Sequence, residues 1–75
     1  MTTHALQMCQ ARGIDRAKVA AAERAIGNGS GAVVLWTGKD KVQIVPVRQG
    51  QATTTMYVDR KAVGRMYKDL PVRWL

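Results

Sequence analysis

The sequence predicts one small α+β domain: two N-terminal helices, a three-stranded antiparallel β-meander and a basic C-terminal helix, in the order ααβββα. Three observations carry this expectation. An alanine-rich segment is bracketed by Asp15 and Gly27, and two β-branched runs flank a glycine-containing turn at 38–40. The third is the stretch from Asp59 to Leu70, which repeats apolar residues at helical spacing.

The elements follow in chain order, with a helical part over 3–27, a meander over 32–58 and the basic helix over 59–70. Residues 3–12 are helix-compatible and Gly13 stops them. Asp15 then serves as an N-cap, its carboxylate accepting a backbone N–H of the first turn. Ile14 and Val19 have the spacing of a hydrophobic staple, Val19, Ala22 and Ile26 form the buried stripe, and Gly27 supplies the stop. Asn28-Gly29-Ser30-Gly31 reads as a loop. Residues 32–37 and 41–48 form a hairpin around Gly38-Lys39-Asp40. Pro46 cannot donate to a ladder, so its strand is expected at an edge or bulged. Gln49–Ala52 is a turn, and the threonines and aromatic of Thr53–Val58 make a third strand.

Asp59 is placed to cap the last helix, with Val58 and Val63 as another staple. At about 100° per residue, Val63, Met66, Tyr67 and Leu70 share one arc, and Lys61, Arg65 and Lys68 another. Pro71 ends the helix, and residues 72–75 can return as a short strand. The αβββα part of this order resembles that of double-stranded-RNA-binding domains, as a likeness of element order alone. The Gly-Pro-x-His turn of that family is absent from 38–40, and its basic run is matched only loosely by Arg60-Lys61-Ala62. No family follows from it.

Composition narrows the function classes. Seventy-five residues make one domain, which buries only about 60% of the surface its unfolded chain exposes. A single cysteine, Cys9, excludes an intramolecular disulfide, and one Cys with one His cannot supply a four-ligand structural zinc site. No signal-peptide pattern or membrane-spanning apolar run is present, so the expected compartment is the cytoplasm. Twelve Lys/Arg stand against five Asp/Glu, a formal net charge of +7. That balance can mean nucleic acid, an acidic protein surface, an anionic membrane surface or solubility alone, and the first two are the leading expectations.

No catalytic constellation is visible. His4 and Cys9 lie about 140° apart on a helix and do not face each other, so Cys9 reads as a small buried thiol. The five carboxylates are scattered, and Gly27–Gly31 follows a helix and lacks the lysine of a phosphate-binding loop. The expectation is therefore a non-enzymatic module with no cofactor, metal or small-molecule substrate.

Its main footprint on nucleic-acid phosphates would be Arg60, Lys61, Arg65 and Lys68, with Lys39, Lys41 and Arg48 as a second contact. Gly64, between Arg60 and Lys68, reads as a gap through which a phosphate could approach, as a mark of tight packing, or as a break in the helix. Trp36 beside the hairpin lysines reads either as closing the core of a protein without Phe or, if exposed, as a base-stacking platform. A helix-turn-helix over the first two helices is disfavoured, because the second is alanine-rich and lacks the side chains that read base edges. The alternative function is a compact phage-type inhibitor of a host protein machine, anchored by Trp36, Tyr57, Tyr67 or Trp74 and steered by charge. A structural subunit, docking through the strand at Pro46 or through Trp74-Leu75, is a third.

Overall fold

The computed structural model describes residues 1–38 and 40–75; the expectation for Lys39 lies outside the described residues. Two helices, α1 (Thr3–Arg12) and α2 (Arg16–Ile26), precede strands β1 (Gly31–Trp36), β2 (Lys41–Arg48), β3 (Gln51–Ala52) and β4 (Met56–Asp59). A 3-10 segment, Arg60–Arg65, then leads to a last strand, β5 (Val72–Trp74). The fold is α+β, but the five-stranded mixed sheet and the absence of a C-terminal helix among the described residues overturn the expected order ααβββα.

Both helices begin and end as local chemistry dictates. Thr2 Oγ1 accepts the Ala5 N–H at 3.2 Å, and Asp15 Oδ1 accepts the Ala17 N–H at 2.9 Å. Gly13, at φ 63°, closes α1 in the left-handed region, and the Gly27 N–H donates to the Glu23 carbonyl at the end of α2. Ala5, Cys9, Ile14, Val19 and Ala22 pack on one face of the sheet against Val33, Val45, Val47 and Ala52. The Cys9 thiol is buried within this cluster.

β1 and β2 form the expected hairpin, in register from Gly31↔Val47 to Trp36↔Val42. The turn after it is tighter than the expected Gln49–Ala52. Gln49 and Gly50 both have positive φ, 53° and 80°, the geometry of a two-residue hairpin turn with the right twist. The Gln49 and Gly50 N–H groups donate to Ser30 Oγ and the Gly29 carbonyl, which seats the turn on the loop after α2.

The third strand is broken, not continuous over 53–58. β3 pairs Val47↔Ala52, while β4 pairs Ile44↔Met56, so three residues (53–55) oppose two (45 and 46). This one-residue bulge lies where Pro46 offers no N–H to its neighbour. The Pro46 carbonyl still accepts from the Thr53 N–H at 3.0 Å. The strand carrying Pro46 is therefore bulge-paired but central, flanked by β1 on one side and by β3 and β4 on the other. The bulge also places Thr55 beneath the helices, where Gln43 Nε2 donates to Thr55 Oγ1 at 2.9 Å and the Arg12 guanidinium to the Thr55 carbonyl at 2.7 Å.

The expected helix over 59–70 does not form. Asp59 belongs to β4 opposite Lys41, and its side chain makes no capping bond. After the 3-10 segment Met66 is extended, and Tyr67 enters the left-handed region at φ 51°. The connection must carry the chain from β4 on one side of the sheet to β5 on the other, across β2 and β1. A helix layer sits about 10 Å above a sheet. A helix consuming all of 59–70 would leave no residues to climb to that layer and return. The shallower path still buries the apolar arc in part: Val63 and Leu70 pack on Ala32, Val34, Val42 and Ile44, with Tyr67 half-buried beside them. The sheet is thus covered on both faces, by helices on one and by this crossover on the other.

β5 lies parallel to β1, pairing Ala32↔Val72 through Val34↔Trp74. The Ala32 N–H donates to the Pro71 carbonyl and the Leu75 N–H to the Val34 carbonyl. Residues 71, 73 and 75 therefore turn their backbone groups toward β1, and Val72 and Trp74 turn theirs away from the sheet.

Candidate functional site

The crossover carries most of the predicted footprint, although not on a helix. Arg60, Lys61 and Arg65 line an open cleft of about 370 Å³ together with Asp40, Asp59 and Ala62. The Arg60 N–H donates to the Asp40 carbonyl at 2.8 Å, which fixes the start of the 3-10 segment against the β1–β2 turn. Three cations and two carboxylates meet here, so the surface is mixed where the sequence suggested one nearly pure in positive charge. Gly64 does leave a gap, since a Cβ added there would meet nothing within 4 Å.

The second predicted contact divides. Lys41 Nζ is 2.8 Å from Asp59 Oδ1, and Arg48 is 2.9 Å from Asp69 Oδ2. A hydrogen bond from Lys41, with its positive charge, holds the Asp59 carboxyl below its ordinary value. A hydrogen bond from Arg48 does the same for Asp69. Both cations are therefore partly neutralised. They also stand at opposite ends of β2, about 23 Å apart at the rise of an extended strand. Arg48 cannot share one small footprint with Lys41. Lys68 does not line the cleft; it lies beside Asp69, in the turn that binds Arg48.

The aromatic residues also separate. Trp36 is half exposed (50%) and does not close the core. It shares the crossover face of the sheet with Val34, and the Arg60 guanidinium lies 5.4 Å from its ring centroid, within cation–π range. Trp74, also 50% exposed, is paired with Val34 and so projects on that same face. Tyr57 pairs with Gln43 and is exposed at the β4 edge on the helix side, away from both tryptophans. Tyr67 is half-buried and packs against the core cluster under the crossover.

Three further cations without a carboxylate within 4 Å among the described residues, Arg16, Lys18 and Arg24, lie on α2, across the sheet from Trp36. Arg73 donates to the Ala25 carbonyl at 2.9 Å and closes the C-terminus of α2. What distinguishes the crossover is that its unpaired cations stand beside an exposed indole. The sequence contained both parts, but only the registers of β1 with β2 and of β2 with β4, followed by the crossover, bring Arg60 onto Trp36. The pairing of Trp74 with β1 was hidden too, because the parallel return of three residues has no short-range signal.

Among the described residues no group of three or more His, Cys, Asp or Glu is placed to hold a metal ion, and no helix is long and apolar enough to cross a membrane. No protein-family model, curated protein or solved structure matches this chain.

Proposed function

We propose that this domain is a nucleic-acid-binding accessory or regulatory module, without catalytic activity, that holds phosphates on its crossover surface. The observation that carries the reading is the group Arg60, Lys61 and Arg65, unpaired with carboxylates among the described residues, around an open cleft beside a half-exposed Trp36. Lys68 lies outside this cleft, beside Asp69 at the Arg48 end of β2, and is not part of the contact. Phosphate contacts of this kind position a protein without reading sequence, and a net charge of +7 draws a polyanion to it.

Fluorescence-anisotropy titrations at several salt concentrations test this. Affinity for duplex should fall with salt at a log–log slope of about 0.9 per phosphate neutralised, or about 0.7 for single strands. Lys61→Ala and Arg65→Ala should each lower the slope by about one, irrespective of sequence. Absence of any binding tighter than about 100 μM at low salt would overturn the reading.

A second reading has an observation of its own. The β5 edge exposes Val72, Trp74 and Leu75, and the backbone groups of Val72 and Trp74 face outward. Such an edge can accept a strand from another protein, as a compact inhibitor docking on an acidic host surface would require. In that case Trp74→Ala abolishes association with a protein target and salt has the smaller effect.

A further inference from the structure

We propose that the nucleic acid held on this surface is single-stranded, and that Trp36 and Trp74 form its base-stacking platform. The inference rests on the nucleic-acid reading above and adds the strand state.

Its basis is the geometry of the crossover face. Trp74 is in register with Val34 on the neighbouring parallel strand, and Trp36 is two residues beyond Val34 on β1. Paired residues and alternate residues of a strand share a face, so both indoles emerge on one side of the sheet. Two residues along the strand and one strand across place their Cα atoms about 8 Å apart. Each ring is half exposed, although Val34 beside them is fully buried. Two large apolar rings are therefore held at the rim of a core that does not use half their surface.

The cations complete the arrangement. Arg60 both lies over Trp36 at cation–π distance and lines the cleft with Lys61 and Arg65. A base lying on Trp36 would thus have its backbone within reach of the cleft cations. In a duplex the π-faces of the bases are covered by their neighbours, and flat indoles on a sheet have nothing to stack on. Unpaired bases offer those faces whatever their identity, and aromatic platforms beside a basic groove are the usual way to hold them. The Arg60 guanidinium covers part of the Trp36 ring in the free domain. Binding either moves it onto a phosphate or leaves it sandwiching the ring.

The test compares an oligothymidylate with a duplex of equal length, for the intact chain, Trp36→Leu, Trp36→Tyr and Trp74→Leu. Leucine keeps an apolar side chain on the sheet without a π-face, and thermal melts confirm that each variant is folded. The single strand should bind more tightly than the duplex and quench tryptophan fluorescence. Trp36→Leu should weaken single-strand binding by about 5- to 150-fold, with Trp36→Tyr recovering most of it and duplex binding falling by a much smaller factor. Equal affinity for both strand states, or an unchanged single-strand affinity in Trp36→Leu and Trp74→Leu, overturns the platform and leaves the phosphate reading standing. If neither oligonucleotide binds, the phosphate reading itself has failed.

Discussion

Replacing Leu70 with alanine should separate the observed crossover from the helix that periodicity suggests. Leu70 is 8% exposed and lies against Ala32, Val34, Val42, Ile44 and Val63. The substitution removes three carbons, worth about 2.4 kcal/mol at roughly 0.8 kcal/mol per methylene. The β-branched residues beneath it are held by sheet pairing and collapse poorly into a void, which adds a cavity term. The neighbouring crossover can settle partly, which limits it. The expected loss is about 2–4 kcal/mol.

A domain of 75 residues has a total stability of about 4–11 kcal/mol, so this is a large share, equivalent to roughly 10–30 °C in Tm. Met66 provides the contrast. On a helix over 59–70 it would share the arc of Leu70 and cost nearly as much, whereas it is extended, half-buried and outside that core cluster. Met66→Ala should therefore cost under about 1 kcal/mol. Urea unfolding followed by tryptophan fluorescence and circular dichroism measures both. Equal losses, or a Leu70→Ala loss below about 0.5 kcal/mol, would refute the packing of the crossover on the second sheet face.

Four further outcomes are expected. Asp15→Ala should cost about 0.5–2 kcal/mol in chemical unfolding, because its carboxylate caps α2. Asp59→Ala should cost clearly less than Asp15→Ala in the same assay, because its exposed side chain makes no capping bond and pairs with the exposed Lys41. Gly50→Ala should lose about 1–3 kcal/mol, since Gly50 has φ 80° and an added Cβ would sit 3.2 Å from the Gly27 carbonyl oxygen; an unchanged melting temperature would contradict the turn. Glu23 is the acid-sensitive carboxylate that lies partly buried in an ion pair. Desolvation raises its pKa, but the Met1 ammonium at 2.6 Å and the Ala52 N–H at 2.8 Å outweigh that and hold it below 4.5. A lowered folded-state pKa gives stability that is full above 4.5 and lost as pH falls through the folded value. Glu23→Gln should therefore be less stable than the parent near neutral pH, with the gap narrowing well below pH 4.5; a gap independent of pH would refute the ion pair.

The parts of this protein legible in its sequence are those decided within a few residues. Asp15 and Gly27 bound α2 because a capping carboxylate and a stop at a glycine with positive φ are local chemistry. The β1–β2 hairpin follows from two β-branched runs and a short glycine-containing turn, and residues 72–75 could be read as a short strand. Most of the cationic side chains of the candidate site were also legible, because charge on a small basic domain is a matter of composition. Their grouping was not. Lys41 and Arg48 found acids, Lys68 fell outside the cleft, and Trp36, a natural core residue in a chain without Phe, was left at the rim under Arg60.

Tertiary structure decided the rest wherever a residue's role depended on a distant partner. Pro46 reads as a signal for an edge or a bulge, and only the tertiary pairing chose the bulge: its strand is central because the facing chain carries one extra residue at the missing N–H. Val63, Met66, Tyr67 and Leu70 have helical spacing, but the sheet presented a second apolar face to cover and a parallel strand to reach on its far side. Local propensity with a glycine at position 64 was too weak to resist that demand. Burial of Val63 and Leu70 mattered more than the hydrogen bonds of one marginal helix, and the same apolar residues were buried along a different path.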